Sequence, residues 1–194
     1  MSRTAHIERV TAETSIRIDL DLDGTGMAEV ETGVGFYDHL LSSFAHHGLF
    51  DLTLIAQGDL EVDDHHTVED AALALGEALT VALGDRAGIT RFGQATVPMD
   101  EALASVALDL SGRPYAVLHL ELRGEKIGAL STQNIPHAIE ALARTGGLTV
   151  HVQAEGANDH HLAEAAFKAL GRALSMAVAI DPRRSGIPST KGRL

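Results

Sequence analysis

Residues 63–79 read DDHHTVEDAALALGEAL, and residues 158–174 read NDHHLAEAAFKALGRAL, 95 positions later. Ten of the 17 aligned positions are identical. The shared residues form a His-His-x-x-Glu motif followed by an apolar run. Self-similarity at a constant offset indicates that the chain carries two copies of one structural unit.

The segments around each copy also correspond. A segment of alternating apolar residues precedes each motif, FDLTLIAQG at 50–58 and LTVHVQAEG at 148–156, which is typical of a half-buried strand. Before each strand lies a helical pattern with one more histidine, His39 in GFYDHLLSSFAHHG and His137 in NIPHAIEALARTGG. Gly48 and Gly146 are the expected C-caps of these helices. With three shorter elements upstream, each half predicts strand, strand, strand, helix, strand, helix.

These patterns predict an α+β fold made of an internally duplicated unit. Two sheets of about four strands would pack on a central layer of four helices, because each sheet has one apolar face to bury. The Gly-rich stretch GDRAGITRFG at 84–93 interrupts the apolar periodicity. We therefore expect one domain over 1–194, with pseudo-repeats at 1–88 and 89–182 and a C-terminal tail at 183–194.

Composition narrows the possible functions. The chain has 194 residues, 15 basic and 27 acidic, for a net charge of −12, which argues against nucleic acid or an anionic membrane as a partner. No apolar run approaches the roughly 20 residues of a spanning helix. The first residues lack the features of a signal or transit peptide, so we expect a cytoplasmic location. With no cysteine and 11 histidines, any metal site must use imidazole and carboxylate ligands.

The repeated motif has the spacing of a shared metal site. Adjacent helical side chains point about 100° apart, so His65 and His66 suit two different ions better than one. Glu69 lies three and four residues further on and shares a face with both. One copy alone is more often a capped, solvated helix start, and a lone His39 or His137 is more often a packed histidine. Asp63 and Asp64 are the expected N-caps.

Duplication favours the metal interpretation. Two motifs and two matched histidines supply eight ligands, four for each of two divalent ions. The predicted ligands are His39, His65, His66, Glu69, His137, His160, His161 and Glu164.

A second group of residues is suited to an anion. Arg91 in ITRFG, Arg113 in SGRP and Lys191 in PSTKG each lie in a Gly-, Pro- or Ser-rich loop. Guanidinium groups match phosphate oxygens, and Ser189 and Thr190 add hydroxyl donors. Each residue alone is more simply explained as a surface charge, so the prediction of a phosphate site depends on their convergence.

Six motifs in order carry a family resemblance: GFYDHLL, DDHHTVED, PMDE, DLSGRP, NDHHLAEAAFKALGRAL and PSTKG. From about His6 to Leu194, the chain resembles the imidazoleglycerol-phosphate dehydratase family of histidine biosynthesis. The resemblance implies a fold like the second domain of ribosomal protein S5, two Mn(II) ions per chain and an assembly of 24 subunits built from trimers. It also implies conversion of imidazoleglycerol phosphate to imidazoleacetol phosphate and water.

The resemblance extends to individual residues. It implies the same eight metal ligands, phosphate contacts at Arg91, Arg113, Ser189 and Lys191, and a catalytic, substrate-contacting carboxylate at Glu13 in TAETS. Glu69 and Glu164 complete the predicted catalytic carboxylates. Ser42 and Ser43 depart from the family, which commonly has Asp-Gln there, with the glutamine lining the substrate pocket.

The implied reaction removes a proton from a carbon that has no carbonyl beside it, so the imidazole ring of the substrate must act as the electron source. Glu13 is the candidate for proton transfer, and an oxygen at the metal is the alternative. Two other classes of protein remain compatible with these ligands: a di-metal hydrolase and a non-catalytic metal-storage or scaffold protein. An assay of imidazoleglycerol phosphate against generic phosphoesters would separate all three.

Overall fold

The computed structural model describes residues 3–194, and this range contains four helices and ten strands. The first half comprises β1 (Thr4–Val10), β2 (Thr14–Asp21), β3 (Ala28–Glu31), α1 (Gly35–Gly48), β4 (Asp51–Gly58) and α2 (His65–Leu83). The second half comprises β5 (Phe92–Met99), β6 (Ala102–Asp109), β7 (Tyr115–Leu120), β8 (Lys126–Ile127), β9 (Leu130–Ser131), α3 (Asn134–Gly146), β10 (Thr149–Glu155) and α4 (Asp159–Val178). None of the helices in the described range combines the length and apolar character needed to cross a bilayer.

Each half forms its own four-stranded sheet with the same topology. The strand order is β1-β2-β4-β3 in the first sheet and β5-β6-β10-β7 in the second. In both sheets the last pair is parallel and the other pairs are antiparallel. The predicted duplicated α+β fold is thus confirmed. The short β8–β9 hairpin was not predicted and has no counterpart among the strands of the first half.

One face of each sheet is apolar because buried residues alternate along the strands. Ile16, Ile18 and Leu20 are buried on β2, as are Val150 and Val152 on β10. The side chains that alternate with these residues point to the other face of each sheet and are mostly exposed, as expected for sheets with one solvated face. Helix α2 packs on the first sheet and α4 on the second.

The helices pair across the two halves. Helix α1 contacts α4, and α2 contacts α3. Gly76 and Gly171, which align in the repeat, lie at these crossings. A Cβ on Gly76 would lie 2.7 Å from the Leu142 carbonyl oxygen, and one on Gly171 would overlap the Phe44 carbonyl oxygen. Glycine at these positions therefore allows the backbones of paired helices to touch.

The predicted C-caps at Gly48 and Gly146 are wrong by one residue. Both are the last residues of their helices, and the caps are Leu49 and Gly147, with left-handed φ values of 59° and 60°. Gly48 serves packing instead, because a Cβ there would overlap the Phe50 ring and lie 3.1 Å from the Gly171 carbonyl oxygen.

Residues 84–91 connect α2 to β5, and the predicted boundary at 88/89 lies in this connection. Arg86 is buried there and donates hydrogen bonds to the carbonyl groups of Leu110, Gly146 and Gly147. These bonds tie the connection to the carboxyl end of α3, where helix carbonyls lack partners within the helix. Burial lowers the pKa of Arg86.

Candidate metal and substrate site

The first cluster of predicted ligands lies between α1 and α4. Glu164 Oε2 is 3.1 Å from His39 Nε2 and 3.1 Å from His160 Nε2. Lys168 Nζ donates to the other carboxylate oxygen at 2.8 Å. Burial alone would raise the pKa of Glu164, but Lys168 and His39 lower it to about 2. The helix pairing thus brings a ligand of the first half onto two ligands of the second.

The second cluster is its counterpart, between α2 and α3. It contains His65, Glu69 and His137, whose donor atoms all lie within 4.8 Å of one another. Glu69 Oε1 accepts a hydrogen bond of 2.8 Å from Arg144, and Glu69 Oε2 is 3.8 Å from His65 Nε2. The rings of His65 and His137 stack with centroids 4.8 Å apart.

The second cluster fits a metal ion. His137 Nε2 is buried, and among residues 3–194 it has no hydrogen-bond partner, although Glu69 Oε1 is 3.5 Å away. His65 Nδ1 lies 3.2 Å from Asn134 Oδ1, and a bond there leaves Nε2 directed at the cluster. Imidazole and carboxylate ligands without sulfur suit Mn, Fe, Ni or Zn ions. A buried ring nitrogen without a hydrogen-bond partner is costly, and a cation bound to its unprotonated form would satisfy it.

His66 and His161 lie outside both clusters. Their rings are nearly perpendicular to those of His65 and His160, with centroids 6.0 Å apart in each pair. His66 Nδ1 donates to Asp59 at 3.0 Å, and His161 Nδ1 donates to Glu101 at 2.8 Å. Six of the eight predicted ligands therefore meet within one chain, three per cluster.

Asp59 and Glu101 are site residues that the sequence analysis missed. The hydrogen bond to Asp59 raises the pKa of His66, and the bond to Glu101 raises the pKa of His161. That same bond is the main reason that the pKa of Glu101 falls to about 2. Glu101 stands in the quoted motif PMDE, which was a usable signal, whereas nothing distinguished Asp59 from a loop carboxylate.

Lys168 was also missed, although it stands four residues after Glu164, the spacing at which helical side chains meet. Its ammonium group is the charge that contacts Glu164 in the first cluster. In the second cluster this position is taken by Arg144, which comes from α3 rather than from the helix of Glu69.

Glu13 lies at the tip of the β1–β2 hairpin, near the second histidine of the first motif. Its Oε2 is 3.8 Å from His66 Nδ1, and its side chain is 54% exposed. Thr11 Oγ1 accepts hydrogen bonds from the backbone N–H groups of Glu13 and Thr14, and Thr14 Oγ1 donates to the buried Asp70 at 2.6 Å. The turn is thus fixed to α2 while the Glu13 carboxylate remains accessible.

Asp63 and Asp64 differ in their roles at the start of α2. Asp64 is the N-cap residue, as predicted, but its side chain makes no cap bond; it is buried and accepts hydrogen bonds from the N–H and hydroxyl of Ser131, both at 2.7 Å. Asp63 lies one residue before the cap, and its Oδ1 accepts a 2.7 Å hydrogen bond from the backbone N–H of His65. Asp64 therefore fixes the β8–β9 hairpin to the start of α2.

Ser42 and Ser43 lie on α1, about one turn beyond His39, and both are half-buried. Ser43 is four residues from His39 and shares its helix face.

Two of the predicted phosphate residues meet at Asp109. Arg91 forms a two-point ion pair with Asp109, at 2.6 and 3.0 Å, and donates to the Pro188 carbonyl at 2.8 Å. Arg113 Nη2 lies 3.7 Å from the same carboxylate, with a side chain that is 69% exposed. Arg91 is thus engaged mainly with Asp109 and also with the tail, whereas the exposed guanidinium of Arg113 lies outside hydrogen-bond distance of Asp109.

The remaining predicted phosphate residues follow Pro188 in the tail. Ser189 is half-buried, its Oγ accepts from the backbone N–H of Lys191 at 3.2 Å, and its carbonyl accepts from Gly192. Thr190 and Lys191 are exposed. The contact of Arg91 with Pro188 places this turn beside the arginine pair, as a phosphate site would require.

Comparison with known proteins shows the family of this chain. The sequence model of the imidazoleglycerol-phosphate dehydratase family matches residues 32–174. A relative of that name from Moorella thermoacetica is 57% identical over the whole of both chains. Another from Methanothermobacter thermautotrophicus is 58% identical, covering 96% of this chain and 95% of the relative.

Solved structures agree with the sequence matches. The imidazoleglycerol-phosphate dehydratase of Staphylococcus aureus superposes with a TM-score of 0.83 at 35% identity, covering 92% of this chain and 99% of the other. The enzyme of Pyrococcus furiosus in complex with (S)-C348 gives a TM-score of 0.84 at 35% identity. The match covers 97% of this chain and 100% of the other.

The fold and these relatives define the class of the protein, a carbon–oxygen hydro-lyase with a His–Glu cluster at each crossing of its halves. The chain belongs to the imidazoleglycerol-phosphate dehydratase family, as the motifs predicted.

Proposed function

We propose that this chain is a metal-dependent dehydratase that converts D-erythro-imidazoleglycerol phosphate to imidazoleacetol phosphate and water in histidine biosynthesis. The activity follows from the names of relatives that align over the whole chain. Metal dependence rests on one observation above all, the buried Nε2 of His137 that has no hydrogen-bond partner in the described range and faces Glu69. A cytoplasmic location is part of the proposal.

Each cluster would hold one divalent ion, most simply Mn(II). In the first, His39, His160 and Glu164 would be ligands; in the second, His65, Glu69 and His137. When bound, such ions would supply Lewis acidity toward the imidazole ring of the substrate. The carboxylates of Glu69 and Glu164 offset the positive charge, and both are already bound to basic side chains.

Three ligands from one chain do not complete the coordination of either proposed ion, and His66 and His161 would supply the missing ligands. Their Nδ1 atoms are bound to carboxylates, so Nε2 is the atom left for a metal. We infer that each of these histidines completes a cluster of a neighbouring copy, since neither lies in a cluster of its own chain. This arrangement agrees with a homo-oligomer built from trimers, up to the 24 subunits that the family resemblance implies.

The reaction needs one carboxylate for proton transfer, and Glu13 supplies it. The ring gives up its N–H proton and supplies electrons as the C–O bond next to it breaks, and the departing hydroxyl takes that proton to become water. Glu13 removes the proton of the neighbouring carbon and returns it to the ring nitrogen, which gives an enol. Transfer of the enol O–H proton to the carbon next to the ring yields the ketone. Glu13 suits this role because its carboxylate is exposed while Thr11 fixes its backbone. General acid–base catalysis of this kind is worth about 10² to 10⁴ in rate.

The phosphate of the substrate would bind at the arginine pair. Arg113 offers exposed guanidinium donors, and Arg91 binds the tail at Pro188, directly before Ser189, Thr190 and Lys191. Binding at this distal group would hold the reacting carbons in register with Glu13.

The test is a substrate comparison on one purified preparation. Protein loaded with Mn(II) should convert imidazoleglycerol phosphate to imidazoleacetol phosphate and leave generic phosphoesters intact. Hydrolysis of phosphoesters would favour a di-metal hydrolase, and tight metal binding without either activity would favour a storage or scaffold protein.

A further inference from the structure

The two halves present a glutamate at the same position of equivalent hairpins. In the first sheet, the Thr11–Thr14 backbone hydrogen bond closes a turn whose central residues are Ala12–Glu13. In the second sheet, the Met99–Ala102 pair closes a turn formed by Asp100–Glu101. Glu13 and Glu101 therefore correspond in the fold, although the sequences of the two turns share only this residue.

Each of these glutamates faces the second histidine of the motif in its own half. Glu13 Oε2 is 3.8 Å from His66 Nδ1, which is too long for a hydrogen bond. Glu101 Oε2 accepts a hydrogen bond of 2.8 Å from His161 Nδ1. The hydrogen bond between the hairpin glutamate and the second histidine is thus formed in the second half but not in the first.

Asp59 accounts for the difference. It directly follows Gly58 at the end of β4 and binds His66 Nδ1 at 3.0 Å. The residue that follows the corresponding Gly156 is Ala157, which offers no carboxylate. In the second half, the hairpin glutamate has to take the task that Asp59 performs in the first.

We propose that Glu101 is a positioning residue for His161: it holds the ring proton on Nδ1 and so presents the Nε2 lone pair to a metal ion. An ionised carboxylate can only accept, so the nitrogen that faces it must carry the hydrogen. Glu101 is itself fixed, because its Oε1 accepts from the backbone N–H groups of Ala157 and Asn158, at 3.2 and 2.8 Å. This inference rests on the proposed function, in which His161 is a metal ligand.

The corollary concerns Glu13. Because His66 Nδ1 is hydrogen-bonded to Asp59, the Glu13 carboxylate is free to exchange a proton with substrate. Two glutamates at one position of a duplicated fold thus have different tasks, one chemical and one orienting.

The substitution Glu101→Gln tests this proposal sharply. The Gln oxygen can keep the bonds to Ala157 and Asn158, which turns the amide NH₂ toward His161 Nδ1. An NH₂ group donates, so His161 must accept at Nδ1 and carry its proton on Nε2, where the metal should bind. Long-range ¹H–¹⁵N spectra of metal-free protein with labelled histidine, at a pH that keeps imidazoles neutral, report this tautomer directly.

We expect the proton of His161 to move from Nδ1 to Nε2 in Glu101→Gln and to stay on Nδ1 in Glu101→Asp. Metal affinity for Mn(II), measured by titration, should fall about 10- to 100-fold in the Gln variant, the usual effect of losing such a partner. Glu155→Gln, the same charge change at an exposed residue of β10, should match wild type in both measurements. His161→Asn assigns the signal.

A wild-type tautomer together with wild-type affinity in Glu101→Gln would overturn the proposal. If that variant does not fold, Glu101→Ala serves, and it should lose the fixed Nδ1–H form. Wild-type protein that binds no Mn(II) would refute the proposed function instead, while the tautomer measurement, made without metal, would still decide the role of Glu101.

Discussion

Glu164 Oε2 lies 3.1 Å from the Nε2 atoms of both His39 and His160, so two imidazoles face one carboxylate oxygen. Either both nitrogens carry protons at this point or a cation joins the three groups. His39 belongs to the first half and Glu164 to the second. In the equivalent cluster, one histidine comes from the second half and the other two ligands come from the first. Both clusters therefore depend on the pairing of helices across the halves.

Two ions per chain are expected at saturation, because the two clusters offer equivalent ligand sets. Elemental analysis of protein loaded with Mn(II) and freed of unbound metal should approach this ratio. His137→Ala should lower it by removing the unpartnered nitrogen from one cluster, and His151→Ala, on the exposed face of β10, should not. A saturating ratio near one in wild type would contradict the two-site arrangement.

Glu13→Gln should lower turnover while leaving metal content unchanged. The amide retains the shape of the side chain but cannot take up a proton, and the expected loss in kcat is about 10² to 10⁴. Steady-state kinetics with imidazoleglycerol phosphate provides the measurement, with Glu29→Gln on the exposed edge strand as the charge-matched control. Near-normal activity would assign the proton transfer to another group.

Arg113→Ala should raise KM for the phosphorylated substrate with a smaller effect on kcat. A hydrogen bond to a charged group contributes roughly 1.5 to 3 kcal/mol, so we expect a change of about one to two decades. Arg17→Ala, another exposed arginine, is the control. An unchanged KM would remove Arg113 from the phosphate site, and loss of folding would make it a structural residue of its turn.

Gly76→Ala should destabilise the fold because the new methyl group meets the backbone of α3. Overpacking costs roughly 1–3 kcal/mol, and rigid backbone partners favour the upper end. Urea unfolding of metal-free protein at one concentration measures the loss. Gly35→Ala is the matched control, since a Cβ there meets nothing within 4 Å. Equal stability of the two variants would show that α2 and α3 can separate at no cost.

Removal of metal should reduce the size of the assembly. If His66 and His161 complete clusters of neighbouring copies, the free energy of metal binding is also free energy of association. Light scattering at fixed protein concentration should show a smaller particle after chelation and recovery after addition of Mn(II). An unchanged mass after complete removal, verified by elemental analysis, would refute shared sites.

The repeat made the fold predictable from sequence. Alternating residues such as Ile16 and Ile18 identified the strands, and the match between residues 63–79 and 158–174 related the two halves. The β8–β9 hairpin escaped prediction because two-residue strands leave no periodic signal. The helix caps were misplaced because Gly48 looks like a cap in sequence, whereas its packing against Gly171 is visible only in the fold.

The site was predictable as far as residue types and local spacing decide it. His65 and Glu69 share a helix face, which spacing alone reveals, and His39 was found through its counterpart His137. The orientation of His161 depends on Glu101, a residue 60 positions away on another hairpin. Contacts of this kind are set by tertiary structure and leave no local pattern.

The crossing of α1 with α4 and of α2 with α3 also determines what half of this protein could do alone. One repeat carries two ligands of one cluster and a single ligand of the other, so a half-length chain cannot assemble either by itself. Two identical half-length chains related by a twofold axis would rebuild both. Gene fusion of such a dimer would leave each copy free to acquire different side chains, as Asp59 and Ala157 illustrate.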